Sequence, residues 1–153
     1  AKALSDTLPE GLRLLEVRLL PDRYPALMAM VDRASYRAEA KACASVTEEE
    51  VEKAIGEFLS TKKIWVERKN KAGGKNLYDI RPGIFAMSGK LGNGIISIEA
   101  ELKTGSSGNV RFEEVLTAFE GSSRPLVQGR FVLYRSGLYA ASEKEKKTLW
   151  HGR

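Results

Sequence analysis

Apolar and polar positions along this chain alternate with two different periods, and the changes of period mark its elements. From Tyr36 to Ala44 the period is two: Tyr36, Ala38, Ala40, Ala42 and Ala44 fall on one side, Arg37, Glu39, Lys41 and Cys43 on the other. That predicts a strand with one packed and one charged face, and the small alanines leave room for a helix to sit close. At Thr47 the period changes. Thr47-Glu48-Glu49-Glu50 is a capping box, in which the Thr47 hydroxyl and the Glu50 carboxylate satisfy N–H groups left open by a first helical turn. Val51, Ala54, Ile55, Phe58 and Leu59 follow at helical spacing as one apolar stripe, with three acids at the positive end of the helix dipole.

Residues 62–69 return to period two, with Ile64 and Val66 inward and Trp65 and Glu67 opposite. Gly73-Gly74 turns the chain, 76–80 comes back as a hairpin partner, and Pro82-Gly83 ends it. Residues 84–87 read as a further short strand, followed by a flexible turn from Gly89 to Gly94. In 95–103, Ile96, Ile98, Ala100 and Leu102 point inward, and Ser97, Glu99, Glu101 and Lys103 outward. A second helix then starts from Asn109 as N-cap, with Glu113 and Glu114 in its first turn. Its stripe is Phe112, Val115, Leu116 and Phe119, Gly121 stops it, and 126–134 is the last strand.

The flanks are less regular. Residues 1–8 resemble the last turns of a helix, stopped by Pro9-Glu10-Gly11, and 11–20 is apolar on both sides, as in a strand packed on both faces. Pro25 opens a short helix whose apolar side is Leu27, Met28 and Val31. Residues 1–33 therefore read as the end of an upstream helix, a strand and a connecting helix, with the upstream part of the domain missing. Residues 34–140 read as the main domain, and 141–153 as a poorly ordered charged tail. From Tyr36 the order is strand, helix, strand, inserted hairpin, strand, helix, strand. That predicts an α+β, ferredoxin-like (split βαβ) sandwich: an antiparallel sheet with two helices on one face and an inserted β-hairpin.

Composition changes this picture little. With 153 residues, 42% apolar and 29% charged, the chain has enough material for one sizeable core. A net charge of +5 favours anionic partners. Cys43 and His151 are the only residues of their kinds, which leaves no intramolecular disulfide, no ordinary zinc site and no Ser/His/Asp triad within the chain. No apolar run approaches the roughly 18 residues of a membrane span, so the expectation is a cytoplasmic protein with no membrane partner and no cofactor held by this chain.

The densest chemistry lies in 62–82, where seven basic residues stand against Glu67 and Asp79. Lys63, Arg68, Lys69, Lys71, Lys75 and Arg81, together with Arg135 just after the last strand, are candidate nucleic-acid contacts, with Trp65 and Tyr78 nearby for stacking. The plainer reading is a solvated ribbon whose charges protect an edge strand. The open sheet face is a poorer candidate. Its central strands, 36–44 and 95–103, carry no outward aromatic, and Glu39, Glu99 and Glu101 repel phosphate, so an RNA-recognition-motif reading fails. Residues 104–109 lack the lysine and glycine spacing of a phosphate loop and read as a capping loop.

Five stretches together resemble one family: LPEGLRLLEVR (8–18), ASYRAEA (34–40), LYDIRP (77–82), GSSGNVRFEEVLTAF (105–119) and LYRSGLY (133–139). They are similar to the radical-SAM-linked domain of unknown function, found fused to or encoded beside B12-binding-type radical SAM proteins. The resemblance runs from about Leu4 to Tyr139 and identifies the chain with the C-terminal part of that domain. It implies an upstream half rich in His, Arg and Pro motifs, a radical SAM protein as partner, and an RNA substrate for the system. Iron–sulfur cysteines are absent here, so radical chemistry would belong to another region or chain. Asp79, Arg81, Asn109, Arg135 and Tyr139 are the positions the resemblance carries over. The resulting expectation is a non-catalytic accessory domain that binds or positions RNA or protein through the basic hairpin. Its rivals are a module docking on the radical SAM partner, or half of an enzyme site completed by the upstream region.

Overall fold

A computed structural model describes residues 2–17, 19, 22–23, 25–70, 73–142 and 145–148. The chain begins with two single-turn helices, α1 (Lys2–Ser5) and α2 (Leu27–Met30). Between them the expected strand does not form among the described residues: Leu12, Leu15 and Leu19 are 63%, 78% and 99% exposed. A run apolar on both sides suits a buried strand, but a strand exists only through a partner's hydrogen bonds, and none of the described strands offers them to this stretch. Arg18, Leu20 and Pro21 of that stretch lie outside the described residues.

Strand β1 (Arg33–Ala42) buries Ala34, Ala38, Ala40 and Ala42 on one face, as its period requires. Helix α3 (Glu48–Ser60) starts on the capping box: Thr47 Oγ1 accepts from the Glu50 N–H, and Glu50 Oε2 accepts from the Thr47 N–H at 3.0 Å. It buries Val51, Ile55 and Phe58. The hairpin strands β2 (Trp65–Lys69) and β3 (Lys75–Asp79) form a separate two-stranded sheet. A short 3₁₀ turn at Arg81–Gly83 leads into β4 (Ile84–Gly92).

β4 is longer than its sequence predicts, because Gly89 lies within the strand and not in a turn. A side chain there would run into Ile55 and Val51 of α3, so the glycine lets the helix pack closely on the strand. Only Asn93 and Gly94, both at positive φ, make the turn into β5 (Ile95–Lys103), the backbone a tight two-residue hairpin demands.

Helix α4 (Phe112–Ser122) begins three residues after the expected N-cap. The Val110 N–H still donates to the Lys103 carbonyl at 2.9 Å, which keeps the chain extended past Asn109, and Arg111 takes the cap position. The helix also passes through Gly121 to end at Ser122. Strand β6 (Val127–Ser142) runs further than expected, and β7 (Glu145–Thr148) pairs along it within the expected charged tail, whose residues 143–144 and 149–153 lie outside the described residues. That pairing uses backbone groups and needs no apolar pattern.

The main sheet has the order β4-β5-β1-β6-β7, every neighbouring pair antiparallel. β1–α3–β4 and β5–α4–β6 are its two strand–helix–strand units, so this is the ferredoxin-like sandwich, with one strand added at the β6 edge and the hairpin inserted before β4. The core lies between sheet and helices. Phe58 of α3 meets Phe119 of α4 edge-on at 5.5 Å, and Tyr36 of β1 stacks on Phe112 at 5.2 Å. Ile96, Ile98 and Leu102 of β5 are fully buried beneath them.

Candidate functional site

Two surfaces carry the chemistry, the β2–β3 hairpin and the uncovered face of the main sheet. The hairpin is closed at its base by Asp79, whose Oδ1 accepts from the Ile64 N–H at 2.9 Å and the Arg81 N–H at 3.1 Å. At its far end the Asn70 carboxamide oxygen accepts from the Gly74 N–H at 2.8 Å, and Gly73 adopts a positive φ. Lys71 lies outside the described residues.

Of the expected contact residues, Arg68 has an internal task. Its Nε and Nη2 reach the two carboxylate oxygens of Glu114 at 2.9 and 2.6 Å, and Nη2 also donates to the Asn109 carbonyl at 2.8 Å. This planar two-bond pairing fastens the hairpin to the first turn of α4. Glu114 holds the Arg68 guanidinium above its ordinary pKa, and burial opposes that in part. Tyr78 lies on the same hairpin face, its ring centre 5.1 Å from the Arg68 guanidinium carbon.

Arg81 is likewise structural. Nε and Nη2 donate to the Leu59 carbonyl at 3.0 and 2.8 Å and Nη1 to the Ile84 carbonyl at 3.1 Å, so the guanidinium satisfies a carbonyl that the end of α3 leaves open. Lys75 pairs with Glu67 at 2.6 Å, and that carboxylate raises the Lys75 pKa. Lys63 lies over the Trp65 ring at 5.5 Å, and Lys69 is exposed in register opposite Lys75. Arg135 is exposed on β6 opposite Tyr36 and belongs to the main sheet, not to the hairpin.

Asn109 makes no cap, but its side-chain oxygen accepts from the Thr104 hydroxyl at 3.2 Å. Tyr139 stands opposite Arg33 in register. The five positions carried by the family resemblance thus do not converge: Asp79 and Arg81 shape the hairpin base, Asn109 anchors its clamp, and Arg135 and Tyr139 lie on β6.

The open sheet face holds two shallow grooves. One, of about 510 Å³, is lined by Ser35, Arg37, Ser88, Glu99, Glu101 and Tyr139 among others. The second, of about 610 Å³, lies at the other end of the same strands, beside Lys41, Arg130, Val132 and Tyr134. As the sequence indicates, β1 and β5 bring no aromatic to this face. The flanking strands do: Tyr134 and Tyr139 come from β6, and Phe85 comes from β4 with the Arg33 guanidinium 4.3 Å above its ring. Sequence reasoning missed them because it weighed the central strands alone; extending the period-two count through 131–139 would have found Tyr134.

Among the described residues, no group of three His, Cys, Asp or Glu side chains is placed to hold a metal ion, and no helix is long and apolar enough to cross a membrane. In comparisons with known proteins, one family model, described as "Uncharacterized protein conserved in bacteria (DUF2344)", matches residues 1–112. No curated protein and no solved structure matches the chain.

Proposed function

We propose, from the premise that the chain belongs to the DUF2344 family, that it is a non-catalytic accessory domain of a radical SAM system whose β2–β3 hairpin docks a protein partner. The sequence resemblance to the radical-SAM-linked domain supports the system. One observation carries the role of the hairpin: the Arg68–Glu114 clamp fastens it to α4 while Trp65 and Leu77, on one face, remain 55% and 64% exposed. An exposed tryptophan beside an aliphatic side chain, ringed by Glu67, Lys69 and Lys75, has the composition of an interface anchor with a polar rim. A clamped hairpin loses little freedom on binding, which favours affinity.

The test is co-purification of the chain with a radical SAM protein expressed as a separate polypeptide, comparing the native chain with Trp65→Glu and Leu77→Ser. Retention of the partner by the native chain and its loss with either variant is the expected result; equal retention by all three sinks the reading. A second reading, RNA held at the hairpin, is favoured by Lys69, which is exposed near its far end and makes no ion pair with another described residue, whereas Lys75 is taken by Glu67. It requires salt-sensitive RNA binding that Lys69→Glu and Lys71→Glu abolish.

A further inference from the structure

We infer that the second groove of the open sheet face binds a segment of single-stranded RNA, stacking a base on Tyr134 and holding phosphates with Lys41, Lys90 and Arg130. This site is separate from the hairpin and independent of the reading given for it. Tyr134 is 50% exposed, and Val132 (56%) and Ile95 (39%) extend its apolar surface across the groove. On a folded sheet such a patch is a platform for a flat apolar ring.

Charge selects an anion. Lys41 and Arg130 line the groove, and Lys90 stands beside Ser97 in register at its β4 margin. None of the three makes an ion pair with another described residue. Glu39, the one acid in the groove, is engaged by Arg37 and by the Ser97 hydroxyl. The acids Glu99 and Glu101 line the other groove, which leaves the positive potential at the Tyr134 end. Gln128, Arg130, Val132 and Tyr134 follow one another at period two along β6 and line the groove together.

Four strands at about 4.8 Å spacing span about 14 Å, enough for two or three extended nucleotides across the sheet. The neutral groups Gln128, Asn93 and Ser97 are suited to a ribose 2′-hydroxyl, which is both donor and acceptor, and this favours RNA over DNA.

The experiment is fluorescence anisotropy on the full chain with a ten-nucleotide oligouridylate, titrated at several salt concentrations. The native chain is expected to bind with a log–log salt slope of about −2, from about 0.7 per phosphate for three contacts. Tyr134→Ala should weaken binding about tenfold or more, and Tyr134→Phe should preserve it. Lys41→Glu combined with Arg130→Glu should abolish binding, while Lys53→Glu on the exposed side of α3 should leave it unchanged. Circular dichroism melts establish that each variant is folded. The inference is overturned by absence of binding at 50 mM salt, by equal affinity for oligothymidylate DNA, by a folded Tyr134→Ala that binds as the native chain does, or by loss of binding on Lys53→Glu.

Discussion

Removing the Arg68 side chain should loosen the hairpin without unfolding the sandwich. The pair is neither a surface contact nor a buried one: the side chains of Arg68 and Glu114 are 20% and 16% exposed. Exposed ion pairs contribute about 0–1 kcal/mol, and breaking fully buried ones costs about 3–5 kcal/mol. Arg68→Ala also deletes the bond to the Asn109 carbonyl. It does not strand Glu114, because Arg111 lies 3.6 Å away. A cost of about 2 kcal/mol follows for Arg68→Ala. Glu114→Gln keeps the shape but removes the charge, and a double-mutant cycle of the two should give a coupling of about 1–2 kcal/mol. Urea unfolding measures the coupling, and amide exchange over 65–69 and 75–79 reports whether the hairpin opens separately from the core. A coupling below about 0.3 kcal/mol with unchanged exchange in both strands would refute the clamp.

Three further outcomes test the packing that supports the site. Gly89→Ala places a methyl 2.5 Å from Ile55 Cδ1 and 2.9 Å from Val51 Cγ1, and should cost about 1–3 kcal/mol in thermal unfolding; an unchanged melt would mean that α3 moves freely on β4. Arg81→Lys retains the charge but cannot reproduce the three bonds to the Leu59 and Ile84 carbonyls, so about 1–2 kcal/mol should be lost in urea unfolding; a lysine variant as stable as the native chain contradicts that role. The Thr47 N–H, and after it Arg124 at 2.5 Å, hold the Glu50 carboxyl below its ordinary value of 4.5. The folded state therefore binds this proton less readily than the unfolded chain. The contribution is complete above about 4.5 and fades as pH falls through the lowered folded value. Glu50→Gln should flatten the stability–pH curve in that acid window alone, and an unaltered curve counts against the assignment.

The sequence by itself determined the local elements. The alanine alternation of β1, the capping box and stripe of α3, the alternation of β5 and the Gly-Gly hairpin were each legible, because the interactions that create them join residues a few positions apart. Their order was enough to arrange the ferredoxin-like sheet.

Only the tertiary structure decided which charged residues are available to a partner. Arg68 and Arg81 look like any cations on a basic ribbon, but their acceptors lie 46 and 22 residues away in sequence, so no local pattern announces that both have structural tasks. The same distance hid the open face. Tyr134 comes to stand with Lys41 and Arg130 because β1 pairs with β6, a contact that sequence spacing does not express. Leu12, Leu15 and Leu19 show the opposite limit: the apolar run they belong to was readable, but a strand needs a hydrogen-bonded neighbour, and no pattern within a segment can supply one.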